Sequence, residues 1–281
     1  MTIRQMMKKW VRELSNSTTA KLDVELAMCK VLDVTRLYIH LNLDEEISKK
    51  NENRIEALLK QRRKGRPMAY IIGKKEFMGL DFFVKEGVLI PRPDTEVLVE
   101  DIIEQAKKID NPLIVDIGTG SGAISVSLAK YINGSKVYSL DISDDALEVG
   151  SINAKNNEVE DKITFLKSNV FSALENEDVK FDIIVSNPPY IRRADISGLE
   201  VDVKDYEPSL ALDGGEDGLD FYRNITQDSI KFIKDNGILG YEVGYDQAED
   251  VKKIMIQNGY GDIRILEDLA SIERVVIGTK I

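Results

Sequence analysis

Three short stretches hold the residues whose types and spacing can do chemistry. Asn187-Pro188-Pro189-Tyr190 follows the apolar run Phe181-Asp182-Ile183-Ile184-Val185. An amide, two stiff residues with no N–H to donate and an aromatic ring, all at a strand's end, suit the gripping of a planar hydrogen-bonding group. Asp116-Ile117-Gly118-Thr119-Gly120-Ser121-Gly122-Ala123 stands where a second apolar run turns into a helix. Its glycines let a ligand approach the backbone, and the helix N-terminus offers unpaired N–H groups. Asp141 closes a third run, where a carboxylate can accept from two ribose hydroxyls. The glycine stretch also reads as a dinucleotide fingerprint through Gly118, Gly120 and Ala123. On its own it leaves a dinucleotide and an adenosyl cofactor both open.

Two details favour S-adenosyl-L-methionine. Asp116 stands two residues before the first glycine, where it can receive the methionyl ammonium directly or through water; a dinucleotide has no cation there. And Asn187 ends the fourth strand of an alternating pattern. In a sheet whose order reverses beside the first strand, the fourth lies next to the first, so both motifs open onto one crevice.

The elements that must position these residues alternate from Pro112 onward, the mark of a parallel sheet with crossover helices. Strands are expected at 113–117, 136–141, 163–166, 181–186, 238–243, 263–266 and 274–279, with helices at 121–131, 144–156, 221–234 and 246–258. The last two strands are joined by only Glu267 to Glu273, too short for a helical crossover, so they should be antiparallel. Upstream, Pro91-Arg92-Pro93-Asp94-Thr95-Glu96 fixes an extended lead-in, with Asp94 or Thr95 to cap the following helix.

The first part of the chain differs. Ile3, Met6, Met7, Trp10, Val11 and Leu14 form one helical stripe, and Leu22, Leu26 and Cys29 mark a second helix. A third amphipathic run through Ile47, Ile55, Leu58 and Leu59 ends in a basic cluster at 60–66 stopped by Gly65 and Pro67. Residues 69–73 and 76–84 read as short strands around turns. The division expected is a helical domain at 1–73, a hairpin linker at 74–92 and a sheet domain at 93–281.

Composition closes off other chemistries. With one cysteine, Cys29, no internal disulfide can form, and with one histidine, His40, read as structural in the run Leu37-Tyr38-Ile39-His40-Leu41, zinc sites, Ser-His-Asp triads and Cys-His pairs are disfavoured. No apolar run is long enough for a bilayer and no signal peptide opens the chain, so a cytoplasmic location without membrane contact is expected. Residues 1–75 carry a net +8 and the rest a net −19, within a total of −11. That balance argues against a duplex-DNA binder and for two domains with different surfaces.

Asp-x-Gly-x-Gly-x-Gly paired with Asn-Pro-Pro-Tyr resembles the class I S-adenosylmethionine-dependent methyltransferases that act on planar nitrogens. Pro91 to Glu96, Ser186 to Ile191, Tyr206-Glu207-Pro208, Ala211 to Leu219 and Gly65 to Gly73 narrow the resemblance to the release factor glutamine methyltransferase family. It covers nearly the whole chain. It implies an α/β fold: a Rossmann-like seven-stranded domain after a small helical bundle that docks the substrate and a β-hairpin linker. It implies methylation of the side-chain amide of the glutamine in the Gly-Gly-Gln motif of peptide chain release factors, by a monomer. Asn187, Pro188 and Tyr190 would be catalytic, with Pro189 also contacting substrate. Asp116, Gly118, Thr119, Gly120, Ser121, Gly122, Asp141, Asn169, Val170 and Asn187 would hold the cofactor, leaving S-adenosyl-L-homocysteine after transfer. Asn169-Val170 departs from the family's usual Asp followed by a large apolar residue. Asn169 can still accept from the adenine amino group, but without a charge, and Val170 covers less of the ring. The alternative is an adenine-N6 methyltransferase acting on DNA or RNA, which clamps a flipped base with a similar tetrapeptide. The net −19 of the larger domain speaks against it.

Overall fold

The computed structural model describes all 281 residues. Contacts divide them into two units, 1–74 with 200–206, and 75–199 with 207–281.

The first unit is helical: α1 (Ile3–Glu13), α2 (Ala20–Leu32), α3 (Arg36–Leu41), α4 (Lys49–Arg63) and α5 (Met68–Ile72). Thr2 and Gln5 form a reciprocal capping box at the start of α1, satisfying two N–H groups that the helix itself leaves unpaired. Ile3, Met6 and Trp10 from α1 meet Val24, Met28, Ile55 and Leu59 in one core. The basic cluster is partly internal to this unit. Arg62 Nε lies 2.8 Å from Asp23 and its Nη1 3.3 Å from Asp202. His40 Nε2 stands 3.2 Å from the buried Glu25. Residues 69–73 are not a strand, as the sequence pattern suggests, but most of α5. Pro67 stands at its N-cap and Gly73 takes a left-handed turn at φ 76°, donating its N–H to Ala69. A proline before and a left-handed glycine after are helix boundaries even around β-branched residues.

In the second unit, β1 (Lys74–Phe77) and β2 (Leu80–Phe83) make a hairpin. Met78 and Gly79 both have positive φ, 52° and 69°, the condition for a tight two-residue turn. The hairpin is joined to this unit rather than strung between two. Asn153 accepts from Phe83 N at 2.7 Å and donates to Phe83 O at 3.0 Å. Phe77 and Phe82, edge to face, enter the unit's core.

After α6 (Thr95–Ala106) come β3 (Leu113–Ile117), α7 (Ala123–Tyr131), β4 (Lys136–Asp141), α8 (Asp144–Asn156), β5 (Ile163–Lys167), β6 (Phe181–Ser186), the one-turn α9 (Val201–Lys204, counted with the first unit), α10 (Asp220–Ser229), β7 (Ile233–Glu242), α11 (Ala248–Gln257), β8 (Tyr260–Glu267) and β9 (Glu273–Lys280). The seven strands run in the order β5-β4-β3-β6-β7-β9-β8. β3 through β7 pair with one another in parallel, and β9 runs antiparallel to both β7 and β8, as the short join between β8 and β9 requires. The order reverses between β3 and β6, so the ends of these two strands flank the crevice.

Two boundaries differ from the pattern. The helix expected to reach 234 stops at Ser229, because Ile233 already pairs with Phe181 in the sheet. The register then shifts before Ile183 pairs with Ile238, so β7 starts five residues earlier than its apolar run. Nor does a side chain cap α6: Asp94 makes no cap bond, and the Thr95 hydroxyl is turned elsewhere. No helix is long and apolar enough to cross a membrane.

Candidate active site

A cavity of about 300 Å³ opens at the C-terminal ends of β3, β4 and β6, within the size range of small-molecule sites. Each strand delivers one group. β3 ends at Ile117 and turns through Gly118 and Gly120, at φ 73° and 55°. A Cβ on either glycine would meet no atom within 4 Å. The backbone is therefore bare toward the cavity, a cradle open to a ligand. β4 ends at Asp141, which accepts from Gly120 N and Ser143 N, each at 2.9 Å. Burial holds its carboxyl above the usual range, with those N–H groups opposing. β5 leads to Ser168, Asn169 and Val170 on the wall. Val170 has φ 52°, a strained conformation for a β-branched residue; the Ser168 hydroxyl holds its carbonyl at 2.7 Å.

β6 ends at Ser186, and Asn187, Pro188 and Pro189 line the cavity. Asn187 Nδ2 donates to Thr95 Oγ1 at 3.1 Å. Thr95 in turn hydrogen-bonds Glu242, the last residue of β7. Glu242 is buried, and its carboxyl is pushed up to about 7, first by desolvation, against the hydrogen bonds from Thr95 and Tyr190.

Of the expected site residues, the cavity brings together Gly118, Thr119, Gly120, Ser121, Asp141, Asn169, Val170, Asn187, Pro188 and Pro189. Three sit behind the wall. Asp116 is fully buried, its Oδ2 accepting from Thr119 at 2.9 Å and Ser125 at 2.7 Å. Its Oδ1 has no partner, and burial raises its carboxyl to about 6. An orphaned buried acceptor beside the glycine turn fits a cation held nearby, through water rather than by direct contact. Gly122 faces α8, where a Cβ would come within 3.0 Å of Gly150 Cα. Tyr190 does not cover the cavity, because its hydroxyl turns inward to Glu242 at 3.3 Å.

The pattern missed Glu242. A lone carboxylate in the apolar stretch 238–243 is the signal that could have found it, since an unpaired buried charge is costly. It also missed the brace under the Pro-Pro turn. Ile191 N donates to Leu212 O and Gly214 N donates back to Ile191 O. Gln247 Nε2 donates to Tyr190 O at 3.0 Å and Gly218 O at 3.2 Å.

A parallel sheet with an antiparallel end, a bare glycine turn, a carboxylate at the end of the neighbouring strand and an amide-bearing strand exit fit an S-adenosylmethionine-dependent methyltransferase. Residues 5–73 match the family model described as PrmC N-terminal domain, and residues 93–201 match the Methyltransferase small domain. The chain is 43% identical over 258 residues to the release factor glutamine methyltransferase of Clostridium acetobutylicum, spanning 92% of this chain and 90% of that one. It is 38% identical over 277 residues to the enzyme of that name from Moorella thermoacetica, spanning 98% and 97%. A methyltransferase structure from Pyrococcus furiosus shares the fold, at TM-score 0.54 and 17% identity over 81% of this chain and 98% of that one. The chain belongs to the release factor glutamine methyltransferase family.

Proposed function

We propose that this protein transfers the methyl group of S-adenosyl-L-methionine to the side-chain amide nitrogen of the glutamine in the Gly-Gly-Gln motif of peptide chain release factors. One observation carries the reading: Asn187 is tethered through Nδ2 to Thr95, so Oδ1 is the atom it offers to the cavity that it lines. Pro188 lines the same wall, and its backbone carbonyl is the second acceptor of this reading. Two acceptors match the two N–H bonds of a primary amide.

The cofactor's sulfonium supplies an electrophilic methyl group. A carboxamide nitrogen is a weak nucleophile because its lone pair is delocalised into its carbonyl. Asn187 Oδ1 and Pro188 O hold its two N–H bonds, aim the nitrogen at the methyl group and offset the positive charge that develops. Phe77, Val88, Leu89 and Pro91 make the apolar side of the cavity and exclude water. The N-methylated amide cation is acidic enough to lose its proton to water as the product leaves the cavity, so no base is required.

Gly118, Thr119, Gly120 and Ser121 cradle the methionyl part of the cofactor, and Asp116 offsets its ammonium through water. Asp141 accepts from the ribose hydroxyls, Asn169 from the adenine amino group, and Val170 packs on the ring. Tyr190 acts from behind, anchoring the Pro-Pro turn to Glu242. The helical unit docks the release factor. The net −19 of residues 76–281 supports a protein substrate over stable nucleic-acid binding.

The test is mass spectrometry of a release factor incubated with protein and cofactor. One added methyl group on the Gly-Gly-Gln glutamine is expected with wild type and is lost with Asn187→Ala, whose cofactor affinity by calorimetry falls far less than its turnover. Methylation of an adenine oligonucleotide in place of the release factor would overturn the reading.

A further inference from the structure

Which end of the Asn187 amide faces the cavity is decided one layer deeper. The Thr95 hydroxyl, buried at 4% exposure, has a single proton and two neighbours: Glu242 Oε2 on one side and Asn187 Nδ2 at 3.1 Å on the other. An ionised carboxylate only accepts. The Thr95 proton must then point to Glu242, and the Thr95 oxygen is left to accept from Asn187. That selects the amide NH2 inward and Oδ1 outward.

A neutral Glu242 reverses the chain. Its own proton goes to the Thr95 oxygen, and the Thr95 proton swings toward Asn187. A donor arriving there selects the amide oxygen, so the NH2 group turns to the cavity. It would then meet the N–H bonds of an incoming amide, donor against donor.

We propose that Glu242 and Thr95 are positioning residues that fix Asn187 with its acceptor oxygen in the cavity, so that the charge on Glu242 switches the site between accepting and rejecting an amide N–H. The switch deepens the proposed function and rests on it for its consequence; the proton relay itself does not. The other groups around Glu242 leave this logic intact. Tyr190, from the exit of β6, donates its hydroxyl to Oε1 at 3.3 Å. Tyr222, from α10, donates to the Glu242 backbone carbonyl at 2.9 Å. Asp94, before α6, favours the neutral carboxyl, and Arg274, from β9, favours the ionised one. Arg274 is shared between Asp94 and Asp268, at 3.3 and 3.0 Å. Burial dominates and sets the transition at about 7.

The relay is tested on the protein alone, by NMR with 13C-labelled glutamate and 15N-labelled asparagine; Glu242→Gln and Asn187→Ala assign the two signals. The Glu242 carboxyl carbon should titrate near neutrality, and the Asn187 side-chain NH2 pair should move with the same midpoint. Thr95→Ser, which keeps the hydroxyl, should keep the coupling. Thr95→Val should abolish it while Glu242 still titrates. In turnover at saturating cofactor, kcat/KM for the release factor should rise with pH through that midpoint, falling about tenfold per unit below it. Glu242→Gln should give a flat profile, and Thr95→Val should lose on the order of 10²-fold in kcat with unchanged cofactor affinity. An Asn187 signal that ignores the Glu242 titration, or that follows it equally in Thr95→Val, overturns the proposal. A release factor left unmethylated by wild type, with the NMR coupling intact, overturns the proposed function and leaves the relay standing.

Discussion

Asp141 serves two partners with one carboxylate. Inside the chain it ties the glycine turn to the start of α8, through Gly120 N and Ser143 N at 2.9 Å each. Toward the cavity its remaining lone pairs are the natural acceptors for a vicinal diol. Hydrogen bonds to a charged acceptor contribute about 1.5–3 kcal/mol each, so losing both in Asp141→Ala should weaken S-adenosylmethionine binding by roughly 10²–10⁴-fold. Asp141→Asn keeps one acceptor oxygen and should fall between. Calorimetric titration with the cofactor measures both. Equal affinity in Asp141→Ala and wild type would remove the residue from the site. Asn187 differs in kind: its loss should leave the cofactor bound and the amide unaimed, so the two variants separate binding from chemistry.

At the scale of elements, the Pro-Pro turn is held from below by the loop at 211–219. Gly214 makes the closest approach. A Cβ there would lie 2.7 Å from Tyr190 Cα and 2.8 Å from Pro189 O, and neither backbone atom can step aside as a flexible side chain could. Gly214→Ala should therefore displace the turn, lowering stability by about 1–3 kcal/mol and turnover more steeply than cofactor affinity. Thermal melts with a kcat measurement at saturating cofactor check both. Such elements show what a sequence discloses. The ends of β3, β4 and β6 were legible because each strand is a buried apolar run closed by a polar residue or glycine, and the position of β6 beside β3 follows from parallel-sheet topology. The site residues that lie on those ends were legible with them. The relay was not: Thr95 and Glu242 are 147 positions apart, and although Glu242 interrupts an apolar stretch, nothing local names Thr95 as its partner. Thr95 looked like a helix cap, and its hydroxyl was claimed instead by a carboxylate that only the tertiary fold delivers. α5 was misread for the reverse reason. Tyr70, Ile71 and Ile72 favour strands, but Pro67 and Gly73 decide the backbone around them.

For the whole molecule, Asp116 and Glu242 make the fold's stability depend on pH in a direction opposite to most carboxylates. Both are buried and both prefer the neutral form, with carboxyls at about 6 and about 7 against ordinary values of 3.8 and 4.5. Below the ordinary values the group is protonated in folded and unfolded chains alike, and its contribution is fully present. Between those values and about 7, the folded chain binds more protons than the unfolded one, so stability falls as pH rises. The surface carboxylates Asp44, Asp213, Asp217 and Asp268 are shifted downward by ion pairs and backbone N–H groups, so their contribution is lost only in stronger acid. A melting temperature that declines from about pH 5 to about pH 8 is the expected result. One kcal/mol moves the midpoint by on the order of 2–4 °C for a chain of this size, so the decline should reach several degrees. Glu242→Gln removes the upper titration and should flatten the curve near pH 7. Asp116→Asn should flatten it near pH 6. Scanning calorimetry across that range decides the matter, and a midpoint that rises toward pH 8 would contradict it. The same carboxylate would then be under two demands. Glu242 orients Asn187 for the amide when ionised, and it favours the fold when neutral. The form competent for transfer is the less stable one, and a cofactor that binds only the folded chain would offset the difference through its own binding free energy.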